Sequence, residues 1–333
     1  NTLQTHIEVT ADLDFSSSNL TLPLGAFSNG TCMTFSGVFR GNGHSIKGLK
    51  MDNTNNARYQ NAGLFCNLKN AIVENLVIDS SCYFTGYSAG ALSVSLTGSL
   101  TVKSTANNAA VNGEWYYGGF VGFVRNLKQP TVISFEDCAN HGNVTGNWNY
   151  VGGFVGYIYG NTNVTLTISN SVNNGNVTGG CNILGGFVGC ISTNTLMIMT
   201  IDKSQNNGIA TGINMIGGLV GYIYTNTNIT IVISNSINHG HAIGSDYVGG
   251  FVAYVYNNTN ITMTISESTN SGTVVANDRY AGGFVGYVSY YLESHSSTLA
   301  ILDSANKGSV SSKKGMAYGF VYIGLRKNID VRT

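Results

Sequence analysis

One pattern of about 33 residues recurs from residue 114 almost to the end of the chain. Each copy contains a Gly-Gly-Phe-Val-Gly-Tyr core, a polar turn, an alternating Thr/Ile segment, an Asn-x-Gly segment and a Val-x-Gly segment. Repeats of this period cannot bury an apolar face alone, so each copy must stack on its neighbours. The chain is therefore predicted to be a solenoid. The Gly-Gly cores begin at Gly118, Gly152, Gly185, Gly217, Gly249 and Gly282, with a degenerate copy at Tyr318.

The segment after the polar turn alternates apolar and smaller or polar residues, as in residues 164–168, 229–233 and 261–265. A period of two indicates a strand with one buried face. Asn then recurs at one repeat position and Gly follows two residues later, and both residue types tolerate the left-handed backbone of a tight corner. If each repeat is one coil, these Asn side chains form a hydrogen-bonded ladder. They are Asn140, Asn173, Asn206, Asn238, Asn270 and Asn306.

Three strands per coil are predicted: the Gly-Gly-Phe-Val-Gly-Tyr, Thr-x-Thr-Ile-Ser and Gly-x-Val-x-Gly segments. Residues that favour helices are scarce, whereas Gly and β-branched residues dominate. Most parallel crossovers are right-handed. We therefore predict an all-β, right-handed parallel β-helix (β-solenoid) with coils of about 33 residues and three sheets. Residues 1–61 would form N-terminal capping and opening coils, and residues 62–333 one continuous repeat solenoid.

The charge and hydropathy of the chain exclude several classes of partner. Charged residues make up 10% of the sequence and the formal net charge is zero. There is no basic stripe for nucleic acid and no polybasic patch for anionic lipid. No apolar run reaches the roughly 18 residues of a membrane span. We predict no nucleic-acid partner, no membrane span and no cofactor.

The six cysteines lack the Cys-x-x-Cys spacing of a zinc site or a redox motif, so no metal is predicted. Their even number permits disulfides in an oxidising compartment. Cys138 and Cys190, however, occupy repeat positions that hold Ser or Tyr in other copies, which is typical of packing residues. Both interpretations stay open at the level of sequence.

The opening coils resemble those of a known class of protein. Residues 35–49 read Phe-Ser-Gly-Val-Phe-Arg-Gly-Asn-Gly-His-Ser-Ile-Lys-Gly-Leu, and Gly-Leu-Phe at 63–65 and Ala-Ile-Val-Glu-Asn-Leu at 71–76 follow. This segment resembles the start of extracellular β-helix proteins with GLUG-type repeats, and the later units are similar to the GLUG repeat itself over nearly the whole chain. The resemblance implies adhesion, surface coating or cell-wall association at an extracellular or cell-surface location. It brings no shared catalytic residues, and the longer Asn/Thr-rich turns, such as residues 160–163, depart from the common bacterial form.

A carbohydrate-binding or polysaccharide-cleaving β-helix is the alternative function. Such enzymes cluster acidic and basic side chains along one groove. Here the carboxylates near one corner occur as single substitutions at positions that otherwise hold Ser or Asn, which predicts a solvated corner and no catalytic residues. His141 and His239 lie three coils apart, about 14 Å at the strand spacing, and cannot share a metal. The carboxylates are Glu136, Asp137, Asp202, Glu267 and Asp303.

Both alternating faces of the Gly-Gly-Phe-Val-Gly-Tyr segment are apolar. Phe154 and Ile158 are expected to point one way, and Val155, Tyr157 and Tyr159 the other. Because a strand that is apolar on both sides is usually covered on both, we predict that the Val/Tyr face is the functional contact unless the long turns fold back over it. Its partner would be another copy or another surface protein, with carbohydrate as the alternative. The predicted interface residues are Val155, Tyr157, Tyr159, Val220, Tyr222, Tyr224, Val252, Tyr254, Tyr256 and Tyr287.

Asn-x-Ser/Thr sequons recur at two turns of the repeat. A chain this rich in Asn, Ser and Thr produces many sequons by chance, so their recurrence at solvated turns is the stronger signal. We predict N-glycans on some of them if the source is eukaryotic. The sequon residues are Asn19, Asn29, Asn143, Asn163, Asn176, Asn228, Asn257 and Asn260.

The sequence leads to a separate prediction for each end of the solenoid. Residues 7–13 read as a strand that starts and caps the stack, whereas the last copy, residues 319–333, lacks its Asn-x-Gly corner. An uncapped end exposes pairing edges, so further sequence or a partner is expected after it. The preferred function is that of a non-enzymatic extracellular structural or adhesive surface protein that presents a repetitive face for assembly or filament formation.

Overall fold

The computed structural model describes residues 2–27, 31–56, 60–180, 183–289 and 297–323. Within these ranges the chain forms strands and turns, with no helix long and apolar enough to cross a membrane. The named strands pair in parallel, and each residue pairs with its equivalent one repeat away, as Asn140 does with Asn173 and Asn206 with Asn238. The predicted fold class is confirmed: the chain is an all-β solenoid of about nine turns with three sheets.

The first sheet has 19 strands and includes Thr2–Glu8 and Thr34–Arg40. One column of this sheet follows the Gly-Gly corner of each turn: Phe65–Leu68, Ser93–Leu96, Val121–Arg125, Val155–Tyr159, Val188–Ser192, Val220–Tyr224, Val252–Tyr256, Val285–Ser289 and Val321–Ile323. The other column holds the Thr/Ile strands: Ala71–Glu74, Leu100–Lys103, Thr131–Glu136, Val164–Ser169, Ile198–Asp202, Thr227–Ser234, Thr259–Ser266 and Thr298–Leu302.

The second sheet has 16 strands and the third has 10. The second consists of Lys50–Asp52, Asn61–Ala62, Tyr83–Gly90, Ala110–Gly118, Val144–Gly146, Tyr150–Gly152, Val177–Thr178, Ile183–Gly185, Ala210–Thr211, Met215–Gly217, Ala242–Gly244, Tyr247–Gly249, Val274–Ala276, Tyr280–Gly282, Val310–Ser312 and Met316–Tyr318. The third consists of Leu13–Asp14, Ser45–Lys47, Val77–Ile78, Ala106–Asn107, Ala139–Asn140, Val172–Asn173, Gln205–Asn206, Ile237–Asn238, Thr269–Asn270 and Ala305–Asn306.

The distribution of strands among the three sheets differs from the prediction of one strand per sheet. The strands after the Gly-Gly corner and the Thr/Ile strands belong to one sheet, because Thr34–Arg40 pairs with both Phe65–Leu68 and Ala71–Glu74. The third sheet is made largely of two-residue strands at the Asn corner. Strands this short contain too few residues to show a period of two, so the sequence pattern did not indicate them.

The predicted strand over residues 7–13 is interrupted. The first strand ends at Glu8, and the next begins at Leu13. Asp12 lies in the corner between them, where its carboxylate accepts a hydrogen bond from the backbone N–H of Ser45 at 2.9 Å and pairs with Lys47 at 2.6 Å. These contacts bend the chain towards the following turn, so the opening segment forms part of a coil instead of one straight strand.

The centre of the solenoid is a continuous apolar core. Phe120, Phe154 and Phe187 are fully buried, and neighbouring rings lie 4.9 Å apart between centroids. Leu166 and Ile168 face the same interior from the Thr/Ile strand and are also fully buried. Since each turn covers the apolar side chains of the next, burial of this column supplies the main driving force for stacking.

The predicted Asn ladder is present and buried. The side-chain Nδ2 of Asn140 donates to Oδ1 of Asn173 at 2.8 Å and to the carbonyl oxygen of Gly142 at 3.0 Å. Asn173 and Asn206 repeat both bonds one turn further on. The prediction that these Asn residues adopt a left-handed backbone is wrong. The left-handed backbone occurs earlier in the repeat, at positions such as Asn170 with φ 48°. Asn occupies the ladder because it satisfies buried hydrogen bonds.

A second buried ladder joins the turns after the tyrosine strands. Nδ2 of Asn161 donates to Oδ1 of Asn194 at 3.0 Å, and the backbone N–H of Asn161 donates to the same oxygen at 3.0 Å. Asn194 and Asn226 make the equivalent bonds to the next turn. This ladder fixes the corner between the two columns of the first sheet.

The cysteines divide between the two interpretations that the sequence left open. Cys32 and Cys66 form a disulfide with their Cα atoms 6.0 Å apart. Cys82, Cys138 and Cys190 are free and buried. Burial raises the pKa of the Cys138 thiol to about 11, so this side chain packs as a neutral group. Cys181 lies outside the described residues.

Candidate contact surface

The valines predicted to lie on the contact face are in the core. Val155, Val220 and Val252 are 0% exposed, so their assignment to an exposed interface is wrong. The chain bends at Gly153 and Phe154, and Gly156 is skipped in the strand pairing with the preceding turn. This break shifts the alternation by one residue, which turns both Phe154 and Val155 inward.

The predicted tyrosines, in contrast, lie at the solvent boundary, except Tyr254, which is buried. The first tyrosine stack consists of Tyr116, Tyr150, Tyr157 and Tyr159. The rings of Tyr150 and Tyr157 are 4.3 Å apart between centroids and inclined by 4°. Tyr116 and Tyr159 also stack with Tyr157, at 5.2 Å and 5.4 Å. Two strands that meet at the Gly-Gly corner therefore contribute to one aromatic cluster.

The second tyrosine stack lies further along the same corner and comprises Tyr222, Tyr224, Tyr247, Tyr254, Tyr256, Tyr280 and Tyr287. Tyr247 and Tyr254 are 4.4 Å apart and inclined by 16°. Tyr222 stacks on Tyr254 at 5.2 Å, and Tyr280 contacts Tyr287 at 4.8 Å. The predicted Tyr222, Tyr224, Tyr254, Tyr256 and Tyr287 are thus brought together.

Four members of the stacks were missed by the sequence analysis: Tyr116, Tyr150, Tyr247 and Tyr280. Each lies immediately before the Gly-Gly corner, on the second sheet, whereas the predicted residues lie after it. The sequence does contain a pattern that marks these residues. A Tyr lies two residues before the first glycine of the pair, as in the Tyr-Val-Gly-Gly segments at 150–153 and 247–250. The corner folds these residues against the later tyrosines.

A single turn separates the two stacks. Cys190 and Ser192 pair with Tyr157 and Tyr159 in the strand ladder and so replace both tyrosines in this turn. Cys190 is only 1% exposed, and Oγ of Ser192 lies 3.1 Å from the hydroxyl of Tyr157. Ile183 takes the place of Tyr150. The small side chains end the aromatic column without opening the core.

The rings of both stacks are partly shielded from solvent. Tyr159 is 37% exposed and Tyr254 is 8% exposed, with most other members half-buried. Burial raises the pKa of Tyr150 to about 12 and also raises the pKa of Tyr157 and Tyr222, so these phenols are neutral at physiological pH. Each of these rings also contacts at least one other ring, which reduces the ring area that a partner can reach.

An arginine accompanies each stack. The guanidinium of Arg125 lies 4.6 Å from the ring centre of Phe123, which contacts Tyr116 edge-on at 5.6 Å. Arg279 donates a hydrogen bond to the hydroxyl of Tyr247 at 3.0 Å and pairs with Asp246 at 3.4 Å. Tyrosine together with arginine is the composition found at the centre of protein interfaces.

The candidate catalytic and metal-binding side chains are engaged in structural contacts. Glu136 pairs with Lys103 at 2.9 Å, and Asp202 accepts a hydrogen bond from Ser234 at 2.7 Å. His141 lies 3.0 Å from the side-chain nitrogen of Asn174, and His239 lies 2.7 Å from the hydroxyl of Ser271. Across the described ranges, no group of three or more His, Cys, Asp or Glu residues is placed to hold a metal ion.

The sequon residues lie at the surface wherever the structure describes them. Asn163, Asn228 and Asn260 are exposed and have φ between 52° and 60°, which explains why Asn recurs at this turn. Asn143 is exposed, and its Oδ1 accepts a hydrogen bond from the backbone N–H of Asn176 at 2.9 Å. Asn19 is exposed, Asn176 and Asn257 are half-buried, and Asn29 lies outside the described residues.

If the source is eukaryotic, we expect N-glycans at Asn143 and Asn163, because a glycan on the side-chain nitrogen leaves the Oδ1 contact of Asn143 intact. Intact-mass measurement of the native protein before and after glycosidase treatment should show a decrease. Peptide mapping should place the change at these exposed positions. An unchanged mass would contradict the expectation.

Comparisons with known proteins give only distant structural likeness. No family model matches the chain, and no curated protein matches it. A candidate immunoglobulin A1 protease from Bacteroides ovatus is 16% identical with a TM-score of 0.49, over 73% of this chain and 78% of that chain. The A-module of mannuronan C-5 epimerase AlgE6 from Azotobacter vinelandii is 10% identical with a TM-score of 0.26, over 97% of this chain and 89% of that chain. The assignment of the fold therefore rests on the strand register of the chain itself.

Proposed function

We propose that the chain is a non-enzymatic extracellular structural or adhesive protein that associates with other copies of itself through the tyrosine stacks. The observation that carries the proposal is the clustering of 11 tyrosines into two stacks at one corner of the solenoid. The resemblance to GLUG-type surface proteins and the Cys32–Cys66 disulfide, which suits an oxidising compartment, support the location.

The geometry of the stacks favours a protein partner over a carbohydrate. A sugar ring binds an aromatic side chain by lying on its face. In each stack a closely stacked pair already covers ring faces with another ring, as between Tyr150 and Tyr157 at 4.3 Å and between Tyr247 and Tyr254 at 4.4 Å. Ring edges, hydroxyl groups and the nearby arginines can instead enter an interface in which aromatic anchors are surrounded by polar contacts.

A second copy of the chain is the occupant that fits the periodicity of this surface. Within each stack the tyrosines occupy equivalent positions of successive turns, at the spacing of roughly 4.8 Å between parallel strands. An identical column has the same spacing, so one register brings several turns into contact at once. Neutral phenols meet without the charge repulsion that two copies of a strongly charged surface would experience.

Replacing Tyr159 and Tyr224 by Lys is expected to abolish self-association while the solenoid stays folded. Tyr159 is the most exposed predicted contact residue, and Tyr224 is half-buried, so neither change opens the core. Tyr254 is unsuitable, because at 8% exposed it belongs to the packed interior of its stack. Sedimentation velocity measures the association, and thermal unfolding followed by circular dichroism measures folding.

The control is Tyr83→Lys, which makes the same kind of substitution once, at a tyrosine that is 36% exposed and belongs to neither stack. This variant should associate like the parent protein. Equal association of all three proteins would contradict the proposal. A monomeric parent that binds immobilised glycans, and loses that binding with Tyr159→Lys and Tyr224→Lys, would support the carbohydrate-binding alternative.

A further inference from the structure

The tyrosine stacks hold phenol rings in pairs that are close, parallel and partly accessible. Tyr150 and Tyr157 lie 4.3 Å apart at an inclination of 4°, and Tyr247 and Tyr254 lie 4.4 Å apart at 16°. Each pair continues into a ring at the solvent boundary, such as Tyr159, which is 37% exposed and 5.4 Å from Tyr157. Neighbouring phenols in this arrangement can exchange an electron and a proton.

We propose that the two tyrosine stacks are sites of oxidative coupling, at which a haem peroxidase acting with hydrogen peroxide joins neighbouring tyrosines by a carbon–carbon bond. The peroxidase removes one electron and one proton from each of two phenols and reduces one hydrogen peroxide to two water molecules. The two phenoxyl radicals combine at ring carbons next to their hydroxyl-bearing carbons. The hydrogen atoms on those carbons then move to the oxygens, which restores both phenols.

The stack determines which tyrosines couple. An oxidant needs access only to an outer ring such as Tyr159, because the radical can pass inward through rings that are 5.4 Å and 4.3 Å apart. A second radical formed in the same stack then meets the first at short range, whereas an isolated surface tyrosine must encounter another molecule. Bond formation requires the stacked rings to tilt, and each pair contains at least one half-buried ring with solvent on one side, Tyr150 and Tyr157 in the first pair and Tyr247 in the second.

Coupling within a stack depends only on the geometry of one chain. Coupling between stacks of two copies rests on the self-association proposed above and would convert a reversible contact into a covalent one. The two consequences can be separated by concentration, since coupling inside one chain persists at dilutions at which copies do not meet.

The test treats the full chain, at a dilution at which it is monomeric, with a haem peroxidase and hydrogen peroxide. Cleavage after Phe154 and Phe251 separates Tyr150 from Tyr157 and Tyr247 from Tyr254, so coupling within either pair joins two peptides. We expect dityrosine fluorescence and cross-linked peptides at both pairs. The variant with Tyr157→Phe and Tyr254→Phe keeps the stacked rings but removes one reacting hydroxyl from each pair, so it should lose the cross-links at both pairs and give a lower yield of dityrosine.

Tyr83→Phe is the matched control, because Tyr83 is as exposed as Tyr159 but lies outside the stacks. Its removal should leave the yield unchanged. Cross-links that map mainly to Tyr83, or an unchanged yield in the variant with Tyr157→Phe and Tyr254→Phe, would overturn the inference. If cross-links within one chain form but no covalent multimers appear at high concentration, oxidative coupling stands and the proposed self-association fails.

Discussion

Replacing Gly153 by Ala is expected to destabilise the solenoid by about 3 kcal/mol or more, since overpacking at a site that cannot relax reaches or exceeds the usual range. A Cβ at Gly153 would overlap the carbonyl oxygen of Gly186 in the next turn and would lie 2.6 Å from Oδ1 of Asn173. The first contact is with backbone and the second is with the buried ladder, so neither can move without breaking the stacking of turns. Urea unfolding followed by circular dichroism measures the change.

Gly180→Ala is the control for this prediction. Gly180 is exposed, and the nearest atom to an added Cβ is the carbonyl oxygen of Asn147, at an ordinary contact distance of 3.5 Å. Its substitution should change the free energy of unfolding by no more than about 0.5 kcal/mol, as is usual for surface sites. If both substitutions destabilised the protein equally, close contact between neighbouring turns at the Gly-Gly corner would not be the reason why these glycines recur in each repeat.

Sequence reasoning predicted the parts of the fold that repeat with a clear period. The alternation in residues 164–168 correctly placed Leu166 and Ile168 in the core. The recurrence of Asn at one position of the repeat correctly predicted a hydrogen-bonded ladder, because a polar residue repeated at every turn lies next to its own copies. These features depend on short segments whose geometry is nearly the same in each turn.

The position of the valines could not be predicted from alternation. The pattern over residues 154–159 reads as one regular strand, but the strand pairing is interrupted at Gly156. Gly has no side chain whose polarity could reveal the change of phase, so Val155 was assigned to the wrong face. The same corner brings Tyr150 against Tyr157, a contact between two strands that a one-strand pattern cannot show.

Exposure could not be predicted from sequence either. The tyrosine column was expected to be an open stripe, whereas stacking between turns covers most of each ring. Tyr254 is 8% exposed because Tyr222 and Tyr247 lie against it at 5.2 Å and 4.4 Å. The candidate surface is therefore smaller than the predicted stripe, and its outer rings are the ones that can meet a partner.

Replacing Asn206 by Ala is expected to destabilise the protein by about 3 kcal/mol, because each buried polar group left without a partner costs roughly 1–3 kcal/mol. Asn206 is 0% exposed. Its Nδ2 donates to Oδ1 of Asn238 at 2.8 Å and to the carbonyl oxygen of Gly208 at 2.9 Å, and its Oδ1 accepts from Nδ2 of Asn173 at 2.8 Å. The substitution removes three buried bonds and leaves no side chain to replace them.

Asn207→Ala provides a control one residue further along the chain. The Asn207 side chain points to solvent and donates one exposed hydrogen bond to Oδ1 of Asn174 at 2.7 Å. Water can replace that partner, so the free energy of unfolding should change by no more than about 0.5 kcal/mol. Both variants lose an amide from the same corner, which leaves burial as the difference between them. If chemical denaturation gave the two variants the same stability, the buried ladder would not be what holds successive turns in register.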